Sequence, residues 1–407
     1  MKALAAVALT ATILLGSIAA CHNGRNDYRP DHGIPPCEIT DDMNSFFSRL
    51  IKDNEPGAIV LVLRNDSVVY DHAFGLATIG EDDKNYISDS TLFNLSSVSK
   101  TFTSTALLKL AEEKKLSLDD KLSQYFPEFS DNKYLRDINI RHILTHSSGL
   151  PDLRPRNHAQ WERYIASHKS TFGSGADYRL YGSENEYMKI FQKLDTVDFP
   201  AGTHYLRDDP AYILVAPLIE RVTGSKFEDW MAQNIFEPAG MKEVFYFDPS
   251  IEHPRMAHGY RPATQNTRKN APVSPDGKWA EFDYGETDFF QLKADRGIYT
   301  SARDFVNWSR ALNNGKIISD SSRALMNTPY LHTDIPMVSF GLGNGLLIKP
   351  GDPFKSYHMN TNGGFEAIES IWPEKKLHII IFANRSDWNE RAISASMDSI
   401  FDIHGWI

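Results

Sequence analysis

The chain has 407 residues, 41 % of them hydrophobic and 12 % aromatic, so a substantial core is expected in one large unit or two domains. A formal net charge of −10 gives no support to nucleic-acid binding, which shows a basic footprint.

The N-terminus opens on Met1-Lys2 and an uncharged run from Ala3 to Ala20, which reads as an export signal over residues 1–20. Cys21 follows the small residues Ala19-Ala20, a junction that resembles the lipobox of bacterial lipoproteins. The resemblance implies cleavage before Cys21, lipid on its thiol and a place in the bacterial cell envelope. A plain signal peptide or an uncleaved anchor would leave the same apolar run, and an unlipidated Cys21 could pair with Cys37. Residues 21–37 are polar and Pro/Gly-bearing and read as a tether. Residues 38–407 then form the functional unit.

Met43, Phe46, Phe47, Leu50 and Ile51 recur on one face of a helix over Asp41 to Lys52. Ala58 to Leu63 reads as a buried strand, Asn65-Asp66 as a turn and Val68-Val69-Tyr70 as the start of the return strand. Residues 91–289 are mostly helical with long loops, including an apolar helix from Tyr212 to Val222 stopped by Gly224, a short helix over Asp229 to Phe236 and a loop over 262–285. Strand patterns return at Gly345 to Ile348, Glu366 to Trp372 and Leu377 to Ala383, the last two flanking a turn at Pro373 to Lys376. Arg391 to Phe401 is a terminal amphipathic helix. The fold class is therefore α/β (α+β): an antiparallel sheet built from both chain ends, 38–90 and 290–407, with the helical part 91–289 beside it.

Ser97-Val98-Ser99-Lys100 carries the chemistry. It stands where the apolar helix of Ala106, Leu107, Leu108, Leu110 and Ala111 begins. Positions i and i+3 share a helix face, so Lys100 reaches the Ser97 hydroxyl. A serine needs a base to become a nucleophile, and a lysine serves when its amine form is favoured by burial, nearby cations or a helix N-terminus. Ser130-Asp131-Asn132-Lys133 has the same spacing but follows Phe126-Pro127-Glu128-Phe129 in a turn-rich stretch and reads as a surface loop. No His/Cys/Asp/Glu cluster has metal-ligand spacing and no Gly-rich loop follows a strand, so no cofactor is expected.

Five blocks occur together: Phe93 to Thr103; Ile143 to Pro151 with Thr145-His146-Ser147-Ser148-Gly149; Pro200-Ala201-Gly202-Thr203 with Tyr212 and Glu220 to Gly224; Ile235 to Met241; and Gly297 to Phe305. In this order they resemble the β-lactamase-related serine hydrolases, which include class C β-lactamases, D-Ala-D-Ala carboxypeptidases, D-aminopeptidases and esterases. The resemblance covers about residues 40–385. It implies an acyl-enzyme on Ser97 at the seam of sheet and helices. It also implies oxyanion donors from the nucleophile's backbone N–H and the strand near the third motif. In this setting His146 reads as structural.

Two family motifs are altered. Counting without gaps between Gly202 and Tyr212 puts Arg207 at the tyrosine of the family's Tyr-x-Asn and Asp209 at its asparagine. A shift of two would use Tyr205 and needs a compensating insertion. The third motif reads His358-Met359-Asn360, keeping a histidine but placing Asn360 where the family has glycine. The Gly-rich site before the tyrosine-threonine turn reads Asp295-Arg296-Gly297. Arginine recognises anions through its donor fork, so Arg207 and Arg296 point to a substrate with a carboxylate or phosphate. His358, Asn360 and Asp209 are further substrate-binding candidates, with Asn360 narrowing the cleft or donating a hydrogen bond and Asp209 able instead to pair with Arg207. Arg207 cannot act as a base but can tune Lys100 as a fixed cation.

The sequence thus predicts an exported, lipid-anchored serine hydrolase acting on amide or ester bonds of a small or peptide-like substrate. Lys100 is its base, with Arg207 or Tyr205 beside it. Peptidase or esterase work is favoured over β-lactam cleavage because both motifs changed together. The alternative is a catalytically silent protein that keeps the cleft to bind a peptide, glycan or cell-wall fragment.

Overall fold

The computed structural model describes residues 37–79, 84–151, 184–206, 210–246, 248, 251, 253–265, 271–281 and 292–407. Its frame is an eight-stranded antiparallel sheet. The strands are β1 (Ala58–Arg64), β2 (Ser67–Phe74), β3 (Leu331–His332), β4 (Val338–Phe340), β5 (Gly345–Leu347), β6 (Lys355–Asn362), β7 (Phe365–Trp372) and β8 (Leu377–Ala383). They lie in the order β3-β4-β5-β6-β7-β8-β1-β2. The join between the chain's two ends is β1 on β8, with Ala58 opposite Ala383 and Arg64 opposite Leu377.

Both faces of the sheet are covered, which is why its central strands read as unbroken apolar runs rather than alternating ones. Ala58, Val60 and Val62 of β1 pack with Ile379 and Ile381 of β8 beneath two terminal helices, α1 (Cys37–Leu50) and α5 (Glu390–Ile403). Met43 and Phe47 of α1 and Met397 and Phe401 of α5 fill that layer. Ile59, Leu61 and Leu63 point the other way, with Ile380 and Phe382, into the larger core around helix α2 (Ser99–Glu112). Period-two side-chain alternation thus feeds two cores from one strand.

Helix α2 is buried almost all round, from Ser99 to Leu110, as befits a central helix. Phe102 stacks on Trp308 of α4 (Ala302–Asn313) with ring centroids 4.1 Å apart, and meets Phe236 and Phe305 edge-on. The expected helix from Tyr212 begins as a 3-10 turn over Pro210–Leu214 before α3 (Val215–Thr223), which ends on Gly224 in the left-handed region. One expectation is corrected. The stretch 262–285, read as loop, contains strand Trp279–Glu281, paired with Tyr260–Pro262. Three-residue pairs are too short to carry a readable period.

Candidate active site

The nucleophile sits on a tight strand-to-helix turn. Strand Leu92–Asn94 pairs with Ile298–Ser301, and Leu95 N–H donates to the Ile298 carbonyl at 2.9 Å. The Asn94 side chain accepts from Ser96 N–H at 2.8 Å and donates to the Arg296 carbonyl at 3.0 Å. Ser96 is held at φ 49°, a left-handed conformation costly for a residue with a Cβ. The chain then makes a 3-10 turn over Ser96–Val98 and enters α2, leaving Ser97 at the helix entrance with 7 % exposure.

Lys100 lies one turn on, nearly inaccessible, with Nζ 3.2 Å from Ser97 Oγ. The expected i to i+3 encounter is present. Its other partners among the described residues were not read from the sequence. Nζ forms a buried ion pair with the Asp295 carboxylate, donates to the Asp295 carbonyl at 3.2 Å, and lies 5.4 Å from the centre of the Tyr212 ring. Arg296 Nε donates to the second carboxylate oxygen of Asp295 at 2.6 Å. Arg296, read from the sequence as a substrate contact, is thus buried against Asp295 and does not line the cavity over Ser97. Thr103 Oγ1 fixes the same segment by donating to the Ala294 carbonyl at 3.1 Å. The cluster sets two cations against one carboxylate, so Asp295 is shared between Arg296 and Lys100.

Strand β6 forms the opposite wall. His358 and Asn360 are two residues apart and so share a face. Asn360 Nδ2 donates to Ser97 Oγ at 2.7 Å, while its Oδ1 accepts from Thr361 N–H at 2.8 Å. The side chain that replaces the family's glycine therefore reaches the nucleophile itself. His358 Nδ1 is 3.1 Å from Thr101 Oγ1 and 3.7 Å from Glu369 Oε2. Glu369 is its direct partner on β7, and His378 Nε2 on β8 lies 3.1 Å from the other oxygen. Burial works against ionising Glu369, but the two histidines outweigh it and hold the carboxyl well below the usual range. Glu369 and His378 escaped the sequence reading. The signal was present, since Glu366 and Glu369 interrupt a strand otherwise patterned for the core.

A cavity of about 490 Å³ opens above Ser97 and Lys100. Tyr205, Leu206, Phe340 and Tyr357 wall it, and His358 and Asn360 line it near Ser97. His146, read as structural, also lines it, its ring edge-on to Phe340 with centroids 4.7 Å apart. It is held at φ 53°. Tyr205 is 6.1 Å from the His146 ring centre. Arg207, Asp209 and Cys21 lie outside the described residues. Ser130 and Lys133 are exposed on turns.

A nucleophile at a helix entrance, a buried lysine in reach and a walled cavity define a serine hydrolase of the acyl-transfer kind. The chain belongs to the beta-lactamase family of serine hydrolases, whose family model (Beta-lactamase) matches residues 43–398. It is 23 % identical over 355 residues to a penicillin-binding protein of Bacillus subtilis (strain 168), covering 86 % of this chain and 72 % of that one. It is 30 % identical over 187 residues to a D-aminopeptidase of Brucella anthropi, covering 46 % of this chain and 32 % of that one. The D-amino acid amidase of Ochrobactrum anthropi SV3 shares the fold with a TM-score of 0.68 at 19 % identity, covering 91 % and 99 % of the two chains.

Proposed function

We propose that the protein is an exported hydrolase that opens amide or ester bonds of small or peptide-like substrates through an acyl-enzyme on Ser97. The observation that carries this reading is the buried 3.2 Å approach of Lys100 Nζ to Ser97 Oγ on the floor of an apolar-walled cavity. In its amine form Lys100 takes the Ser97 proton as Oγ attacks the carbonyl carbon. The C–O double bond opens to an oxyanion, which the Ser97 backbone N–H and a donor on β6 stabilise. Lys100 returns the proton to the leaving amine or alcohol as the scissile bond breaks. Water then attacks the ester, losing a proton to Lys100, which passes it to Ser97 Oγ as the ester bond breaks and the acid leaves.

Asp295 and Arg296 hold Lys100 in place, and Asn360 Nδ2 aligns Oγ. Tyr205 and His358, which line the cavity, face the substrate. The second-motif role at Tyr205 or Arg207 and the substrate role of Asp209 stay as the family resemblance implies them. The named activities of the D-aminopeptidase and the D-amino acid amidase favour an amide substrate. Lipid on Cys21 would hold the enzyme at a membrane of the cell envelope. A fluorophosphonate probe tests the reading, since it forms a stable ester with an activated serine. Labelling of the wild type that disappears in Ser97→Ala supports it. Absence of labelling with intact, folded protein would favour the silent binding protein.

A further inference from the structure

The sheet carries a buried chain of polar side chains behind the nucleophile. Ser309 Oγ, on α4, is 2.8 Å from His378 Nδ1. His378 Nε2 meets Glu369, Glu369 meets His358 Nδ1, and His358 Nδ1 meets Thr101, the residue after Lys100. Glu369 is 3 % exposed and His358 7 %. At the end of this chain His358 Nε2 is buried and has no hydrogen-bond partner among the described residues. The ring lines the cavity over Ser97 and shares a strand face with Asn360.

The tautomer follows from the neighbours. An ionised carboxylate accepts and does not donate. A nitrogen lone pair turned toward it in a poorly hydrated interior is repelled, whereas an N–H is attracted. His358 Nδ1 faces Glu369 on one side and a hydroxyl able to accept on the other, so Nδ1 carries the proton. Nε2 is then left with a lone pair and no donor among the described residues. A buried acceptor without a partner is costly unless a ligand supplies the donor.

We propose that Glu369 is a positioning residue that fixes His358 as the Nδ1–H tautomer, so that Nε2 offers a hydrogen-bond acceptor to an N–H or O–H of the substrate. This rests on the acyl-enzyme reading and narrows its substrate class. Acyl compounds bearing a free amine, amide N–H or hydroxyl near the scissile carbonyl are selected. A carboxylate at the same place would meet a lone pair backed by Glu369 and is rejected.

The test joins a spectrum to a pair of esters. Full-chain protein labelled with 15N-histidine is examined by long-range 1H–15N correlation, the His358 signals being assigned by their loss in His358→Gln. The wild type should give a protonated Nδ1 and an unprotonated Nε2, and Glu369→Gln should lose that preference. Hydrolysis of the p-nitrophenyl ester of alanine, which has a free amine, should fall about tenfold in kcat/KM in Glu369→Gln, mainly through KM. Hydrolysis of p-nitrophenyl acetate, which lacks the donor, should change less than about twofold. Thr101→Val should keep the wild-type tautomer and supplies a folded comparison if Glu369→Gln does not fold. A protonated Nε2 in the wild type, a tautomer that follows Thr101 instead of Glu369, or equal losses on both esters would overturn the proposal. If neither ester is cleaved by the wild type the acyl-enzyme reading fails, and the spectra still decide the tautomer.

Discussion

Asp295 is the residue on which the site's electrostatics turn. It is fully buried, binds Lys100 and Arg296 at once, and lies 195 residues from Lys100 in the chain. Asp295→Asn would leave two buried cations facing a neutral amide. Removing one partner of a buried ion pair costs about 3–5 kcal/mol, because the charge left behind is uncompensated. The variant should lose that much in urea unfolding and lose activity with it. Arg296→Met should instead remove one of the two cations on Asp295 and keep its pairing with Lys100. If Lys100 must shed its proton, this variant loses activity while keeping more stability than Asp295→Asn, and similar losses of both in the two variants would contradict the assignment. Two glutamates on β7 make a parallel contrast. Glu369 sits between histidines and is held ionised, whereas both Glu366 carboxylate oxygens are buried without hydrogen-bond partners among the described residues. Burial, with repulsion from Glu390 and Asp387, raises the Glu366 carboxyl from 4.5 to about 8. The folded state therefore keeps a proton that the unfolded chain has lost between those values. Stability should fall with rising pH across that window, by about 1.4 kcal/mol per unit from this group, and level off above it. Glu366→Gln should match the wild type at pH 4 and melt higher at pH 8 to 9. An unchanged difference between the two proteins across that range would refute the shift.

At the scale of elements, the site depends on close backbone approaches to α2. Gly343 has φ +90°, and a Cβ there would stand 2.2 Å from Ser104 Oγ and 3.3 Å from the Tyr212 hydroxyl. Its N–H donates to the Leu144 carbonyl at 2.9 Å, which the Tyr212 hydroxyl also contacts at 3.2 Å. Gly343→Ala should destabilise by about 1–2 kcal/mol from conformation alone, more with the clash, and disturb Tyr212 beside Lys100. A thermal melt within a degree of the wild type would show that the loop yields freely. Elements with long apolar stretches were legible: β8 has the bounds read from the sequence, and α1 and α5 differ only by a few residues at their ends. The Ser97–Lys100 pair was legible because its geometry is local to one helix turn. Asp295, Glu369 and His378 were not, because they come from segments distant along the chain, and only strand pairing and helix packing bring them to Lys100 and His358. Arg296 had a visible charge but not a visible partner, so its expected role was replaced by the ion pair the fold supplies.

At the scale of the molecule, the two chain ends close one sheet through β1 and β8, while the turn that leads into α2 sets Ser97 against Asn360 of β6. The nucleophile belongs to one part of the chain and its wall, β6, to another, so the cavity exists only when the sheet is closed. Local helix chemistry and long-range sheet closure must therefore both be intact for hydrolysis. The most direct test of the account is intact-mass spectrometry of the protein quenched in acid during turnover of p-nitrophenyl acetate. The account predicts a species heavier by one acetyl group, mapped to the peptide holding Ser97, present in wild type and absent in Ser97→Ala. A wild type that turns over the ester with no adduct, or with one that maps elsewhere and persists in Ser97→Ala, would contradict it.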